Sequence, residues 1–421
     1  MAHVVVLATL DTKGAEAAYV ADLLGRHGRK PCLMDTGFRN PPACRTDVDR
    51  EQVARAAGLD LASARAMPRE EIIRAMGEGA GRLLARGVAE GRYAGVIALG
   101  GNQGTAIAGI ALQRLPLGVP KVVVSTVASG NLRPYFGHKD VAVLFSVGDL
   151  LGGPNRVSSP ILEAATAAVA AMVAAARPFA AGGAPAFAVT ALGNTQGAVA
   201  GVHELLRERG CEAVAFHASG AGGSAMEELI EAGVFAGVVD LTTHELVGEA
   251  FGQDIYTPTR PDRLSAAARC GLPQVVAPGG LDYFCFGAAE TIPEALRGRP
   301  VHRHNPYNTN VRTSAAELGQ LGEVVAKRLN AAPAGSAAFL YPRKGWSEVG
   351  SPGAPLHDPR ANLAFLESLR AALSTTVELY ELDVTINDRR FAERAIEVLE
   401  RLKASRPGDR PWPTPQPLHH L

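Results

Sequence analysis

Short apolar runs alternate with helical patterns along almost the whole chain, and this alternation limits the possible folds more than any other feature. Val4–Thr9 is nearly continuous in apolar side chains, as in a strand that is covered on both faces. Ala15–His27 follows with helical periodicity and stops at Gly28. Repeated strand–helix units of this kind predict an α/β fold with doubly wound sheets.

The first half of the chain continues this pattern. Further strands are predicted at Pro31–Asp35, Gly95–Leu99, Lys121–Thr126 and Val141–Val147, and further helices at Arg69–Glu90, Thr105–Leu115 and Ile161–Ala176. Residues 36–60 interrupt the pattern with two prolines and mixed charge. A loop of that length inside a compact domain predicts a functional or mobile segment.

The second half repeats the alternation. Its predicted strands are Phe187–Ala191, Ala213–His217, Gly237–Leu241, Gln274–Ala277, Ala337–Tyr341 and Val377–Leu382. Its predicted helices are Gly201–Arg209, Met226–Ala232, Arg263–Ala268, Ala315–Leu329, Asn362–Leu373 and Arg390–Leu402.

A chain of 421 residues is too long for one ordinary core, and a break rich in glycine and alanine, RPFAAGGAP (177–185), separates the two series. We therefore predict an N-terminal Rossmann-like subdomain over residues 1–180 and a C-terminal Rossmann-like subdomain over residues 185–405. A proline-rich tail follows over residues 406–421.

The two halves resemble each other where they begin. VVVLATLDTKG (4–14) and FAVTALGNTQG (187–197) have the same length and both end in Thr-x-Gly. Each continues through a helix into a second strand, so both are strand–turn–helix units with a polar turn. Two such subdomains are expected to face each other across a cleft, with ligands at the carboxyl ends of the strands.

The composition excludes some classes of partner and compartment. Lys+Arg and Asp+Glu are 42 each, so no basic surplus supports nucleic-acid or anionic-membrane binding. The five cysteines form no CxxC pair, which is typical of a reducing compartment. Met1 leads directly into HVVVLATL without a signal-peptide pattern, and the alanine-rich run near residue 170 is better explained by a buried helix than by a membrane span. We predict a cytoplasmic protein.

The string LDTKG places a hydroxyl and a cation after the first strand, at Asp11, Thr12 and Lys13. Together with free backbone amides at a helix start, these groups suit a phosphate. A plain helix cap by Asp11 or Thr12 explains the same residues, and the motif alone favours the cap.

The string VIALGGNQGTA (96–106) runs from a strand into three glycines. Gly100, Gly101 and Gly104 permit close backbone approach, and Thr105 can donate a hydrogen bond to an oxygen. No GxxxxGK[ST] pattern is present, so a lysine from elsewhere or a metal would have to supply positive charge. A tight strand-to-helix turn explains the glycines equally well.

Other strand ends also carry small polar residues. VSTVASGN supplies Ser125 and Thr126, which suit an anion, a nucleoside or an ordinary loop. SVGDLLGG places Asp149 in a glycine-bordered turn that suits ribose, magnesium or an Asx-turn. HASGAGG (217–223) fits a relaxed dinucleotide pattern weakly, and His217 is more typical of a hydrogen-bonding strand end than of a general base.

Two long polar segments complete the candidates. VHRHNPYNTNVRTS (301–314) lacks a nearby carboxylate or cysteine to make its HxH a zinc pattern, and we predict a polar loop before a helix capped by Thr313 or Ser314. PRKGWSEVGSPGAPLHDP (342–359) suits a lid or a substrate loop. No GxSxG, HExxH or kinase motif occurs, so no nucleophile or catalytic mechanism is predicted.

Eight strings taken in order resemble the Tm-one-like ATP-binding family, an otherwise uncharacterised family named for a plant virus resistance protein. They are DTKG, GVIALGGNQGT, PKVVVSTVASGN, AFHASGAGG, GVVDLTTHE, GLD, HRHN and IND, from about residue 4 to about residue 403. The resemblance implies two Rossmann-like subdomains, ATP with magnesium in the cleft between them, and a homodimer. No ligand of the magnesium is implied.

Carried over residue by residue, the resemblance implies one set of ATP-binding positions. They are Asp11, Thr12, Lys13, Thr36, Arg69, Gly101, Asn102, Gln103, Gly104, Thr105, Ser125, Thr126, Asp149, His217, Ala218, Ser219, Gly220, Gly222, Gly279 and Gly280. The three glycines without a following lysine then make sense, because the loop gives backbone amides to a nucleotide while Lys13 and magnesium supply the positive charge.

Three functions remain open at this point. The leading hypothesis is an ATP-dependent enzyme that acts on a small molecule held by the second subdomain. A non-catalytic interaction module stabilised by ATP is the first alternative. A glycosyltransferase-like enzyme that binds sugar nucleotides is the second alternative, on architecture alone.

Overall fold

The computed structural model describes residues 2–64, 67–179 and 183–404. The chain divides into two compact units, Met1–Phe179 and Ala180–Leu421, which are called the first and the second unit. The proline-rich tail predicted at residues 406–421 lies outside the described residues.

The first unit alternates strands and helices from its start. Its elements are β1 (His3–Ala8), α1 (Leu10–Arg26), β2 (Lys30–Asp35), α2 (Arg50–Ala56), α3 (Leu61–Ala64), α4 (Arg69–Ala89), β3 (Tyr93–Gly100), α5 (Asn102–Gln113), β4 (Lys121–Ser125), α6 (Arg133–Phe136), β5 (Ala142–Phe145) and α7 (Ser158–Ala175). The five strands are parallel, in the order β2-β1-β3-β4-β5.

Both faces of this sheet are covered. Along β1, Val5 and Leu7 belong to a core that also contains residues of α2, α4 and α5, whereas Val4 and Val6 belong to a second core with α1 and α7. Helices on both faces explain why the strands read as continuous apolar runs instead of alternating ones. The predicted α/β class is confirmed for this unit.

The segment predicted as a long loop, residues 36–60, contains a helix that the prediction missed. In α2 the Asp49 carboxylate accepts the Gln52 amide at 2.7 Å, and the Gln52 side chain accepts the Asp49 amide at 2.9 Å. This reciprocal pair is a capping box, which satisfies two helix-end donors. The loop prediction is therefore wrong for Arg50–Ala56.

Helix α7 is long and apolar enough to span a membrane by length and composition, with a mean hydropathy of 1.4. Its buried side chains, including Leu162, Ala165 and Val169, join the core beneath the sheet. The buried residues amount to 33% of the apolar window, so α7 is buried along one face only, less than the prediction of a buried helix implies.

The second unit contains the remaining elements. They are β6 (Ala186–Ala191), α8 (Gln196–Glu208), β7 (Glu212–His217), α9 (Ala221–Glu231), β8 (Gly237–Thr242), α10 (Glu245–Phe251), α11 (Ala266–Arg269), β9 (Gln274–Gly279), β10 (Tyr283–Phe286), β11 (Val301–Asn305), β12 (Asn308–Arg312), α12 (Ala315–Leu329), β13 (Ala337–Pro342), α13 (Pro359–Ala372), β14 (Glu378–Leu382) and α14 (Arg389–Ala404).

Six of these strands form a parallel sheet in the order β14-β13-β9-β8-β6-β7. In the first unit β1 lies between β2 and β3, and β4 and β5 follow on the β3 side. In the second unit β6 lies between β7 and β8, and β9, β13 and β14 follow on the β8 side. The shared strand order agrees with the resemblance between VVVLATLDTKG and FAVTALGNTQG.

A second, antiparallel sheet of three strands has the order β10-β12-β11. The predicted polar loop over residues 301–314 is wrong for most of its length, because β11 and β12 form a hairpin there. The predicted cap of the following helix is confirmed at Ser314, whose hydroxyl accepts the Glu317 amide at 3.3 Å.

Candidate functional site

In the first unit, the carboxyl ends of β1 and β3 form a topological switch point. The chain leaves β1 towards β2 on one side, while β3, β4 and β5 lie on the other side. Ligands of open α/β sheets bind at this position, where adjacent loops diverge. Nearly all the first-half residues predicted to bind ATP follow strand ends at this edge, namely Asp11, Thr12, Lys13, Thr36, Gly101 to Thr105, Ser125, Thr126 and Asp149.

The start of α1 is not capped by the residues that the sequence suggested. The helix begins at Leu10, so Asp11 and Thr12 lie within its first turn. The Leu10 amide donates to Asp35 Oδ1 of β2 at 2.9 Å, and the hydroxyls of Thr9 and Thr12 are 2.9 Å apart. In the described residues no amide of α1 donates to Asp11 or Thr12, so the helix-cap interpretation is wrong.

Two carboxylates flank Gly37 beside this helix start. A Cβ at Gly37 would lie 2.7 Å from Asp11 Oδ1 and 3.0 Å from Asp35 Oδ1. Asp11 Oδ2 accepts the Arg39 and Asn40 amides at 3.2 and 3.3 Å. Burial raises the pKa of Asp35, and its Oδ2 has no hydrogen-bond partner among the described residues. Thr36 is among the residues predicted to bind ATP, whereas its neighbour Asp35 is not.

Lys13 and Asp149 come from separate motifs, and the structure brings them together. The Lys13 ammonium donates to the Leu150 carbonyl and lies 3.9 Å from Asp149 Oδ1, and Lys13 is only 9% exposed. Three residues further along α1, Glu16 Oε1 accepts the Gly153 amide at 3.0 Å. One face of α1 therefore fixes the loop after β5 and places a cation at the sheet edge.

The GGNQGT loop turns sharply from β3 into α5. A Cβ at Gly100 would lie 2.6 Å from the Thr105 nitrogen, so only glycine fits this turn. Helix α5 follows Gly101 without any side-chain cap, and its first amides have no partner within the helix. Such an end attracts negative charge.

Polar side chains surround this helix start. The hydroxyls of Thr105 and Ser125 are 2.7 Å apart and buried, so each has a partner within the protein. Arg69 Nη2 donates to Gln103 Oε1 at 2.8 Å, which places the start of α4 beside the loop. The Thr126 amide donates to the Gly100 carbonyl at 3.1 Å.

In the second unit, close packing accounts for the glycines of HASGAGG. A Cβ at Gly222 would lie 2.0 Å from the His217 carbonyl oxygen, and one at Gly223 would lie 1.6 Å from Glu245 Oε2. The Gly220 and Gly223 amides donate to Glu245 Oε1 at 2.5 and 3.0 Å. The amides that would face a nucleotide in the dinucleotide pattern thus donate to a buried carboxylate.

The remaining predicted residues of this unit lie at neighbouring strand ends. The Ala218 amide donates to the Ala191 carbonyl at 2.9 Å, and the Ser219 amide donates to the His217 carbonyl at 2.7 Å. Gly279 ends β9, where a Cβ would lie 2.3 Å from the Leu241 carbonyl oxygen. The next residue, Gly280, has a φ of 74°.

A pocket of about 200 Å³ opens in the second unit near β7 and the antiparallel sheet. Its wall is mostly polar and is formed by Leu192, Gly193, Asn194, His217, Tyr256, Tyr283, Cys285, His304, Asn308 and Asn310. Of the residues predicted to bind ATP, only His217 lines it. The hairpin that was predicted as a loop therefore forms part of the wall of this pocket.

Behind this pocket lies a buried cluster that the sequence analysis missed. His244 Nε2 is 3.1 Å from Asp254 Oδ2, and the Cys285 amide donates to the same oxygen at 2.7 Å. The His244 ring stacks on Tyr283 with centroids 5.0 Å apart. Burial alone would lower the pKa of His244, but Cys285 and Asp254 outweigh it and raise that pKa well above 6.5. Burial raises the pKa of the Cys285 thiol.

Comparison with known proteins gives matches along both units. Residues 2–178 match the N-terminal domain of an uncharacterised protein family, UPF0261, and residues 184–403 match its C-terminal domain. A UPF0261 protein of Rhizobium meliloti is 39% identical over 401 residues, covering 94% of this chain and 98% of the relative. A UPF0261 protein of Clostridium tetani is 36% identical over 404 residues, with 94% and 99% covered.

A plant protein also matches. The ToMV resistance protein Tm-1 of Solanum lycopersicum is 35% identical over 315 residues, covering 73% of this chain and 41% of the plant protein. This match and the two domain matches agree with the resemblance drawn from the eight strings. The chain belongs to the uncharacterised protein family UPF0261.

Proposed function

We propose that the first unit binds ATP with magnesium at the carboxyl edge of its sheet. The observation that carries the proposal is the uncapped amino end of α5, which opens at the switch point between β1 and β3. The first amides of a helix and its dipole together bind phosphate. The choice of ATP among nucleotides comes from the resemblance to the Tm-one-like family.

The residues at this edge suit both parts of the ligand. Lys13 follows β1 at the same sheet edge and would supply a cation to the phosphates, although it also donates to the Leu150 carbonyl. Magnesium prefers carboxylate oxygens. Asp11 and Asp35 offer carboxylate oxygens side by side, and Asp35 Oδ2 is buried without a partner among the described residues. These two carboxylates would hold the magnesium, which would neutralise phosphate charge.

The second unit is proposed to hold the small molecule on which an ATP-dependent enzyme would act. Support comes from its pocket of about 200 Å³, which has the histidines and amides needed to orient a polar compound. The cleft between the two halves, the homodimer and the cytoplasmic location stay predictions.

A ligand screen tests the nucleotide. Thermal unfolding of the full chain would be followed with ATP, ADP, UDP-glucose and NAD, each with and without magnesium. A ligand at a hundredfold excess over its Kd stabilises by about 3 kcal/mol, which gives a clear shift. A shift with Mg-ATP supports the proposal, a preference for UDP-glucose selects the glycosyltransferase-like alternative, and no shift with any nucleotide refutes nucleotide binding.

Hydrolysis separates the enzyme from the interaction module. ATP turnover that rises when a metabolite is added supports the ATP-dependent enzyme. Strong stabilisation by Mg-ATP without turnover would instead identify an ATP-stabilised interaction module.

Lys13→Ala tests the cation at the proposed site. We expect nucleotide affinity to fall about tenfold or more, because a hydrogen bond to a charged group contributes about 1.5 to 3 kcal/mol. Calorimetric titration with Mg-ATP measures the change. Glu16→Ala is the matched control, since it releases the same loop at Gly153 without removing the cation. Equal losses in the two variants would assign Lys13 a purely structural role.

A further inference from the structure

His244, Asp254 and Cys285 bring one nitrogen, one oxygen and one sulfur close together in the second unit. These three atoms all lie within 4.8 Å of one another, and all three residues are buried. Within residues 2–64, 67–179 and 183–404, no other group of three histidine, cysteine or acidic residues approaches so closely. None of these three residues belongs to the proposed nucleotide site.

The histidine can present only one ring nitrogen to the other two residues. His244 Nδ1 lies 2.6 Å from the Gly280 carbonyl oxygen. Because a carbonyl oxygen only accepts hydrogen bonds, Nδ1 carries a proton, and Nε2 is the ring nitrogen left to face Asp254. A backbone carbonyl on the second nitrogen is the arrangement that orients metal-binding histidines.

The Nε2 atom faces an oxygen that accepts. Asp254 Oδ2 is 3.1 Å away, and either a proton on Nε2 or a metal ion between the two atoms accounts for this approach. Asp254 is held in place from both sides, since Oδ2 accepts the Cys285 amide at 2.7 Å and Oδ1 accepts the Tyr256 amide at 2.9 Å.

The sulfur lies beside the same histidine. A proton on the ring serves Asp254 and the neighbouring Cys285 by hydrogen bonds, whereas a soft divalent ion takes all three atoms as ligands. Asn310 Nδ2 lies 3.2 Å from Cys285 Sγ and donates to it, which stabilises a thiolate. Imidazole nitrogen, carboxylate oxygen and thiolate sulfur are the ligands that Zn²⁺ prefers.

The pocket supplies the remaining coordination position. Cys285 and Asn310 line it, and Asn310 Oδ1 is buried without a hydrogen-bond partner among the described residues. Three protein ligands with one open position are typical of catalytic zinc sites, whereas structural sites are closed by four.

We propose that the second unit binds one Zn²⁺ ion through His244 Nε2, Asp254 Oδ2 and Cys285 Sγ, with the fourth position open to water or to a small oxygen ligand in the pocket. Binding displaces the thiol proton and any proton on Nε2 to solvent. The bound ion then acts as a Lewis acid on an oxygen of the pocket's ligand.

Cobalt titration of the metal-stripped full-length protein tests the site. Co²⁺ bound to a thiolate gives a charge-transfer band in the near ultraviolet, and tetrahedral Co²⁺ gives visible absorption. We expect both to saturate at one ion per chain and to disappear when Zn²⁺ is added. Absence of stoichiometric Co²⁺ or Zn²⁺ binding would overturn the proposal and leave a proton between His244 and Asp254.

Two cysteine variants assign the sulfur. Cys285→Ser should abolish the charge-transfer band and weaken Zn²⁺ binding at least about tenfold. Cys211→Ser, which alters a buried thiol of the same unit in a different core, should change neither. Persistence of the band in Cys285→Ser, or its loss in Cys211→Ser, would refute the assignment.

One further variant leaves all three ligands in place. Asn310→Ala should shift the charge-transfer band without abolishing it, because only the hydrogen bond to sulfur is lost. This measurement remains possible even if the Cys285→Ser variant does not fold. An unchanged band would refute the hydrogen bond from Asn310 to the metal-bound sulfur.

Discussion

Gly25 and Gly79 both lie inside helices of the first unit, yet replacing each with alanine should have opposite effects. A Cβ at Gly79 in α4 would lie 2.0 Å from the Val53 carbonyl oxygen of α2, whereas nothing lies within 4 Å of one at Gly25 in α1. Gly79→Ala should destabilise by about 1 to 3 kcal/mol through overpacking. Gly25→Ala should stabilise by about 0.5 to 1 kcal/mol by restricting the unfolded chain.

Urea unfolding of the two variants and the parent measures both free energies. Because each substitution adds the same methyl group to a helix, their difference isolates the space at each position. A loss of stability in Gly25→Ala, or none in Gly79→Ala, would contradict the packing described for α2 and α4.

For single residues, the sequence indicated the polar strand ends as candidate sites but did not indicate that Cys285 belongs to a site. Lys13 and Asp149 each follow a strand, so their motifs were visible before their contact was known. Cys285 lies in YFCFG, which reads as an ordinary apolar run. Its partners His244 and Asp254 are more than 30 residues away and reach it only through the fold, so no spacing rule links the three.

Glu317 gives a pH-dependent prediction for helix α12. Burial alone would raise its pKa, but Arg299 and the Ser314 amide outweigh burial and hold that pKa below 4.5. Arg299 donates to both carboxylate oxygens, at 2.7 and 3.1 Å. A lowered pKa in the folded state stabilises the protein above the unfolded value, and this stabilisation is lost as pH falls through the folded value.

Glu317→Gln should therefore destabilise by about 1 kcal/mol at pH 7, a modest value because the pair is partly exposed. The difference from the parent should shrink as pH falls below about 4.5. Urea unfolding at several pH values measures it. Glu323→Gln on the same helix is the control, since Glu323 is exposed and shows no ion pair in the described part of the chain. A pH-independent difference for Glu317→Gln would exclude the ionised pair as its cause.

Among elements, buried strands were predictable and polar strands were not. Most of the eleven parallel strands read as apolar runs because helices cover both faces of their sheets, whereas the edge strand β14 is ELYEL and is only partly buried. By contrast β11 and β12 consist of VHRHN and NTNVR, which lack the usual alternation of apolar and polar residues. Their pairing with each other and with β10 supplies the backbone hydrogen bonds, and propensity alone does not reveal it.

For the whole molecule, each unit has what independent folding requires. Every hydrophobic cluster among the described residues lies within one unit, and each unit has its own parallel sheet. The order of strands within those sheets was beyond the sequence, because apolar runs show that strands exist but not which strands are neighbours. The resemblance between the two halves was visible only in their first strand–turn–helix unit.

If the two units unfold separately, Mg-ATP should stabilise the unfolding transition of the first unit and Zn²⁺ that of the second. The chain has two tryptophans, Trp346 and Trp412, and Trp346 is fully buried in the second unit. In a Trp412→Phe variant the tryptophan fluorescence therefore reports the unfolding of the second unit alone, whereas far-ultraviolet circular dichroism reports the unfolding of both units. We expect Mg-ATP to raise the midpoint seen by circular dichroism and leave the fluorescence midpoint unchanged. Zn²⁺ should raise the fluorescence midpoint, because a hundredfold excess over its Kd adds about 2.7 kcal/mol to the free energy of unfolding of that unit. If Mg-ATP moves both signals equally, the units unfold as one or share the nucleotide, and separate folding is wrong.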